Sequence, residues 1–359
     1  MHREEVVSLR VRAQQLDRVA GDLADTAVLD LGVQDTGPDG GGWALACRGV
    51  PLEQTGSEHL VTVWTLRGAP HLYRRTDLPG VAAAVAPFSE ADAGKRIFDA
   101  ATPLRAAGIG ALEALDVVAA AMREIVDRPT AKHEMSARLS ERLPEPYLKH
   151  CAPCRAVHVH EQSFRLAALR AGLELQPGTS PSVLQPVPGL RADPPPPPRL
   201  DVVRGYLRLL GPATPKHVAA HLDAPVAEVR ARWPDDVVDV EVDGEARSLL
   251  AASLPAAPGS VDVRLLGPYD PFLQARDRDL LVPDRVRAKA LWSALGRPGA
   301  VLANVDLVGL WRPRQTGSRL RLQVELWCDP TPQLRGGLEQ QAERLAAFRG
   351  VRLTGIDGA

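Results

Sequence analysis

The chain has 359 residues, 45% of them apolar and 24% charged, with a formal net charge of −1 and four cysteines. This is ordinary globular composition, long enough for a sizeable core and for two or three domains, and it excludes wholesale disorder and a disulfide framework. No apolar run reaches the ~18 residues that a membrane-spanning helix needs, and the charged opening MHREEVVSLR lacks the apolar stretch of a signal peptide, so a cytoplasmic protein is expected. The near-neutral balance does not announce a nucleic-acid binder, although a local stripe of cations would suffice for one. The 43 basic residues comprise 38 Arg and five Lys. Arginine forks onto phosphates, but a compositional bias of the genome explains the ratio more simply.

In chain order, the first predicted helix is REEVVSLRVRAQQL, followed by a helical stretch around Leu23–Leu31. A hairpin follows, LVTVWTLRG and HLYRR around Ala69-Pro70. Residues 111–127 form a strong amphipathic helix, Thr130 caps a second one (AKHEMSARLSERL), and residues 161–171 make a third, before strands at Leu173–Leu175 and Val183-Leu184. The run Asp193-Pro194-Pro195-Pro196-Pro197-Pro198-Arg199 reads as a semi-rigid polyproline linker. Beyond it, DVVRGYLRLL is a helix ended by Gly211-Pro212. Thr214 caps a helix with Pro215 at its first position, and Pro225 opens another. Asp243-Gly244 between extended runs signals a hairpin. This order is that of a winged helix, and the upstream segments repeat it less cleanly. The last hundred residues differ: strands at Val301–Ala303, Leu307–Trp311 and Leu320–Trp327, then a final amphipathic helix ending at Gly350. The fold expected is α+β, three tandem winged-helix motifs with a C-terminal β-rich region. The boundaries are 1–100, 101–192, 199–255 and 256–359.

Several stretches offer chemistry. Leu31-Gly32-Val33-Gln34-Asp35-Thr36-Gly37-Pro38 puts three polar side chains after an apolar run. If the segment is extended, Gln34 and Thr36 share one face and Asp35 takes the other; the bland reading is a polar turn. The glycines at 37 and 40–42 match neither phosphate-loop spacing. Cys151-x-x-Cys154 with His158 nearby suits a zinc site in type, but lacks the second, widely spaced pair. Two packed thiols are the favoured reading, and no metal is expected; Cys47 and Cys328 read as core residues. Residues 312–321 carry four arginines and no acid, the best basic patch in the chain. Arg230 and Arg232 are weaker phosphate candidates because Asp235 and Asp236 follow.

LGVQDT, followed by WALACRG and VTVWTLRGAPHLYRR, resembles the AlkZ/YcaQ-type family of winged-helix DNA glycosylases. That family carries a Gln-hydrophobic-Gln or Gln-hydrophobic-Asp motif in a Gly-Leu-Gln-Ala-Gln-like stretch, and a Trp-x-x-Arg-Gly-Thr-x-His-Leu-like hairpin. This chain keeps Gln34, then Trp64, Arg67, Gly68, His71 and Leu72, and later Gly267-Pro268-Tyr269-Asp270-Pro271-Phe272. The resemblance spans nearly the whole sequence. It implies a monomeric, cofactor-free enzyme that excises bulky N-alkylated purines or crosslinks from duplex DNA. Gln34, Asp35 and Thr36 would be the catalytic residues and Arg67 and His71 DNA-binding ones, joined by Arg312, Arg314 and Arg319 from the basic patch. The chain departs from the family in having Thr36 at the second catalytic position and Asp35 in the middle. The alternative is a non-catalytic winged-helix DNA-binding protein, such as a transcriptional regulator.

Overall fold

The computed structural model describes residues 1–152, 155–192, 195–253 and 261–358, and helices and strands are mixed throughout. Among these residues no helix is long and apolar enough to cross a membrane. The chain divides into two compact units: Met1–Gly56 with Gly205–His217 and Pro234–Ala359, and Ser57–Arg204 with Val218–Trp233.

In the first unit, helix Arg3–Ala13 buries Val6, Val7, Arg10 and Val11, a helical stripe, and Glu5 reaches back to accept from the His2 backbone N–H at 2.6 Å. The dominant sheet orders its strands Val261–Leu266, Gly299–Asn304, Asp306–Thr316, Arg319–Leu326 and Arg352–Asp357. All neighbours are antiparallel except the last pair. Helix Pro332–Phe348 starts at Thr331, whose hydroxyl caps the Leu334 N–H, and it covers this sheet. The approach is close: a Cβ at Gly337 would lie 2.3 Å from Val263 Cγ2. The hairpin Val237–Val242 and Glu245–Leu250 turns at Asp243 (φ 47°) and Gly244 (φ 85°), the two positive dihedrals of a type I′ turn.

Two buried arginines tie this unit together. Arg48 and Asp270 are fully buried and form a double hydrogen bond, 2.9 Å at each oxygen. The remaining Arg48 donors go to Gln14 O (2.9 Å), Gln14 Oε1 (3.0 Å) and Ala44 O (2.7 Å). Arg10 forks onto Asp277 at 3.0 and 2.7 Å, and Arg247 reaches the same carboxylate. Charges buried at this depth are tolerated because nearly every donor and acceptor is matched.

In the second unit, strands Leu60–Trp64 and Pro70–Arg74 are antiparallel. The sheet continues through Leu173–Leu175, Val183–Pro186 and Thr130–Ala131. Two hairpins that the sequence places in successive modules thus share one sheet, joined at Thr62 and Leu175. Helix Ala111–Ile125 supplies much of the core through Ala114, Leu115, Val118, Ala119, Met122 and Ile125. Its N-terminus is closed by Glu90, which accepts from the N–H groups of Ala111 and Leu112.

Some local expectations are corrected. Thr130 is no helix cap: it lies in a short strand opposite Leu184, and its hydroxyl bonds Arg128 O. The stretch around residues 23–31 holds only a 3₁₀ turn, Ala27–Asp30. Helix Val226–Arg230 is shorter than its apolar pattern suggested. The final strand Arg352–Asp357, whose alternation is weak, was not anticipated. Cys328 is exposed rather than in the core, whereas Cys47 is buried. Cys154, Asp193 and Pro194 lie outside the described residues, as do 254–260 at the expected boundary of the C-terminal region. The Thr214 cap is present, its Oγ1 3.3 Å from the His217 N–H.

Arg48→Ala should lower the stability of the first unit by roughly 3–5 kcal/mol, because it strands a buried carboxylate; denaturant unfolding measures it. Burial alone would raise the Asp277 carboxyl, but Arg10 and then Arg247 outweigh it and hold it below its usual value. Its stabilising contribution is therefore complete above the unfolded carboxyl value of about 4 and is lost as pH falls through the depressed folded value. The melting temperature should fall more steeply between about pH 4 and 2 in wild type than in Asp277→Asn.

Candidate nucleic-acid interface and catalytic corner

Gln34 closes the two-residue strand Val33–Gln34, and Thr36 and Gly37 lead out of it toward helix Gly40–Ala46. All three polar residues of the motif are half-buried. The Gln34 Nε2 donates to Thr36 Oγ1 at 3.1 Å, so these two side chains meet on one side of the chain. Asp35 goes elsewhere: its Oδ1 accepts from the Gly41 N–H at 2.8 Å and closes the start of the helix. Crowding explains Gly40 and Gly42. A Cβ at Gly40 would sit 2.0 Å from Asp35 Oδ1, and one at Gly42 3.2 Å from the Phe348 ring. Trp43 packs edge-on against Phe348 (centroids 5.4 Å apart) and donates from Nε1 to Leu265 O at 2.6 Å. The nearby Cys47 thiol is no nucleophile: burial, then Asp270, pushes it up to about 12.

The basic patch is a long hairpin, Asp306–Thr316 and Arg319–Leu326, turning at Gly317 (φ 55°). Its register pairs Arg312 with Gln323, Arg314 with Arg321, and Thr316 with Arg319. Since directly opposed residues share a face, Arg312, Arg314, Arg319 and Arg321 all project from one side. Leu320, Leu322 and Val324 are buried on the other. Arg321 pairs with Asp357 at 2.7 Å and Arg314 donates to Gln323 at 2.9 Å. Arg319 is exposed and faces Arg352 in the register of the neighbouring strand.

Arg67 sits on the turn of the second unit's hairpin and His71 on the strand that follows it, opposite Val63. Arg67 has φ 58° and donates to His221 O. Asp77 is taken by Arg74 and Arg199. Arg165 holds the turn from below, donating to Gly68 O at 3.0 Å. His71 is 3% exposed. Its Nδ1 lies 2.9 Å from Ala69 O, which can only accept, and 3.0 Å from Thr65 Oγ1. Burial, then repulsion from Arg67, lowers its pKa to about 3. A neutral, buried imidazole offers no charge to a phosphate; it fixes the turn. Arg232 is likewise engaged internally, with Glu228 at 3.0 Å and over the Phe88 ring at 4.3 Å.

Sequence reasoning missed Asp39 and Arg349. They form an ion pair, 2.6 Å at its Nε contact, and Arg349 Nη1 also donates to Gln315 Oε1 at 3.0 Å. Nothing in the local sequence pairs residues so far apart. Among the described residues no cluster of His, Cys, Asp and Glu is arranged to hold a metal ion.

The first unit thus presents an arginine-lined hairpin and a small uncharged polar pair, Gln34–Thr36. The family model for AlkZ-like DNA glycosylases matches residues 51–348, and the chain belongs to that family. The Gln34–Thr36 motif precedes the matched segment. Among solved structures the chain is similar to the DNA glycosylase AlkZ of Streptomyces sahachiroi, with a TM-score of 0.74, 19% identity and 99% of each chain covered. No curated protein matches the sequence.

The ring nitrogens of His71 should show no titration between pH 5 and 8 by heteronuclear NMR; a midpoint near the ordinary ~6.5 would contradict the buried setting.

Proposed function

We propose that this glycosylase removes bulky N-alkylated purines, crosslinks included, from duplex DNA by hydrolysis of the N-glycosidic bond. On this reading it is a cytoplasmic monomer that grips its substrate with three tandem winged-helix motifs, over 1–100, 101–192 and 199–255, and with the β-rich region 256–359. The observation that carries the reading is the side-chain pair Gln34–Thr36, joined at 3.1 Å while Asp35 is committed to the helix start.

An N7-alkylated purine already bears positive charge. When the bond from the base nitrogen to C1′ breaks, both electrons stay with the base, which leaves neutral. The sugar is left as an oxocarbenium-like cation, and a water oxygen bonds to C1′ and gives its proton to solvent. This needs no strong base; it needs a water held in place and a field that favours positive charge. With its Nε2 spent on Thr36, Gln34 keeps its carbonyl oxygen to accept from that water, and the Thr36 hydroxyl proton can be donated to it. Asp35 contributes by fixing the corner. Arg312, Arg314 and Arg319 take phosphates along one strand face, Arg67 takes them at the other hairpin, and His71 supports the Arg67 turn.

Duplex DNA carrying a bulky N7-alkylguanine should acquire alkali-labile abasic sites well above the spontaneous background. Gln34→Ala should slow this by roughly 10²-fold or more, as loss of one oriented transition-state partner does. A Gln34→Ala rate equal to wild type would remove Gln34 from the reaction. Affinity for the same duplex should fall steeply with salt, and replacing Arg312, Arg314 and Arg319 with Ala should flatten the log–log slope by about 0.9 per lost phosphate contact. An unchanged slope would place the DNA elsewhere.

A further inference from the structure

Arg349 stands immediately after helix Pro332–Phe348, and Asp39 immediately before helix Gly40–Ala46. A cation at a helix C-terminus and an anion at a helix N-terminus each oppose the local dipole, so the pair is favoured at both ends. Both side chains are only 10% exposed, and the guanidinium meets both carboxylate oxygens. Its remaining nitrogen, Nη1, donates to Gln315, two residues short of the glycine at the tip of the arginine hairpin. Phe348, the residue before Arg349, lies against Gly42 and Trp43. Asp35 is anchored to the same short helix through Gly41.

One guanidinium therefore contacts the segment that carries Gln34 and Thr36 and the hairpin that carries Arg312, Arg314 and Arg319. We propose that Arg349 is a positioning residue that fixes the arginine hairpin relative to the Gln34–Thr36 corner, so that phosphates gripped by the hairpin place the damaged nucleotide's C1′ over the bound water. This rests on the function proposed above. The fork geometry matters: a lysine provides one compact charge and cannot hold both carboxylate oxygens and Gln315 together. Gln315→Ala cuts the hairpin tether and leaves the ion pair with Asp39.

Two measurements test this on the full-length protein. In hydrogen exchange, Arg349→Ala should loosen the backbone of residues 35–46 and of 313–318 together, with the sheet interior at Gly299–Asn304 unchanged, and Gln315→Ala should loosen only 313–318. In single-turnover excision from the N7-alkylguanine duplex, Arg349→Ala should lower the rate at saturating enzyme by roughly 10- to 100-fold, the scale of an ångström misplacement. Arg349→Lys should recover only part of that, and Gln315→Ala, which cuts the same tether to the hairpin, should also lower the rate at saturating enzyme. Wild-type exchange in both segments of Arg349→Ala would overturn the proposal, as would a loss of excision matching only the loss of folded protein. If wild type releases no base while the coupled loosening is present, the link through Arg349 stands and the proposed reaction fails.

Discussion

The first unit depends on arginines that are buried and fully occupied. Arg48, at the end of the segment that follows the Gln34–Thr36 corner, is held by Asp270 from more than two hundred residues downstream, with Gln14 closing the gap. Gln14 itself donates to Leu209 O, so the network around this guanidinium extends to a further stretch of chain. Such a pair adds little over an apolar replacement, yet breaking it is costly, so its value lies in specifying one arrangement. Arg10 with Asp277 repeats the device beside it, and Arg349 with Asp39 repeats it at the corner. The arginine-rich composition, which reads as a compositional bias, is put to structural use at each of these places.

Much of the secondary structure was legible because it rests on local rules. Helix Ala111–Ile125 follows from its apolar spacing, the Asp243-Gly244 hairpin from turn chemistry, and the C-terminal meander from alternation. What was not legible rests on distant partners. Thr130 looks like a cap until Leu184 claims it for a strand. The strand Arg352–Asp357 exists because it finds the open edge at Arg319–Leu326. The glycines at 40–42 invite a phosphate-loop reading, and only the approach of Asp35 and Phe348 shows why Gly40 and Gly42 are small.

The candidate site was legible to the same extent. Alternation along Gln34-Asp35-Thr36 foretold that the outer two residues share a side and the middle one leaves it. It could not foretell that the Asp35 carboxylate accepts from the Gly41 N–H and closes the start of a helix. The hairpin arginines were visible as a cluster, but their common face required the strand register. His71 was read from the resemblance as a DNA contact, and its burial beside Thr65, Ala69 and Tyr73 depends on a fold that the sequence does not show.

On the function proposed above, a hydroxyl at position 36 replaces the amide or carboxylate of related motifs and, with Gln34, orients the hydrolytic water. Single-turnover excision of an N7-alkylguanine by Thr36→Ser and Thr36→Val measures this directly. Serine keeps the hydroxyl and valine keeps the shape, so near wild-type release is expected for Thr36→Ser and a large loss for Thr36→Val at equal DNA affinity. Equal rates for the two variants would contradict it.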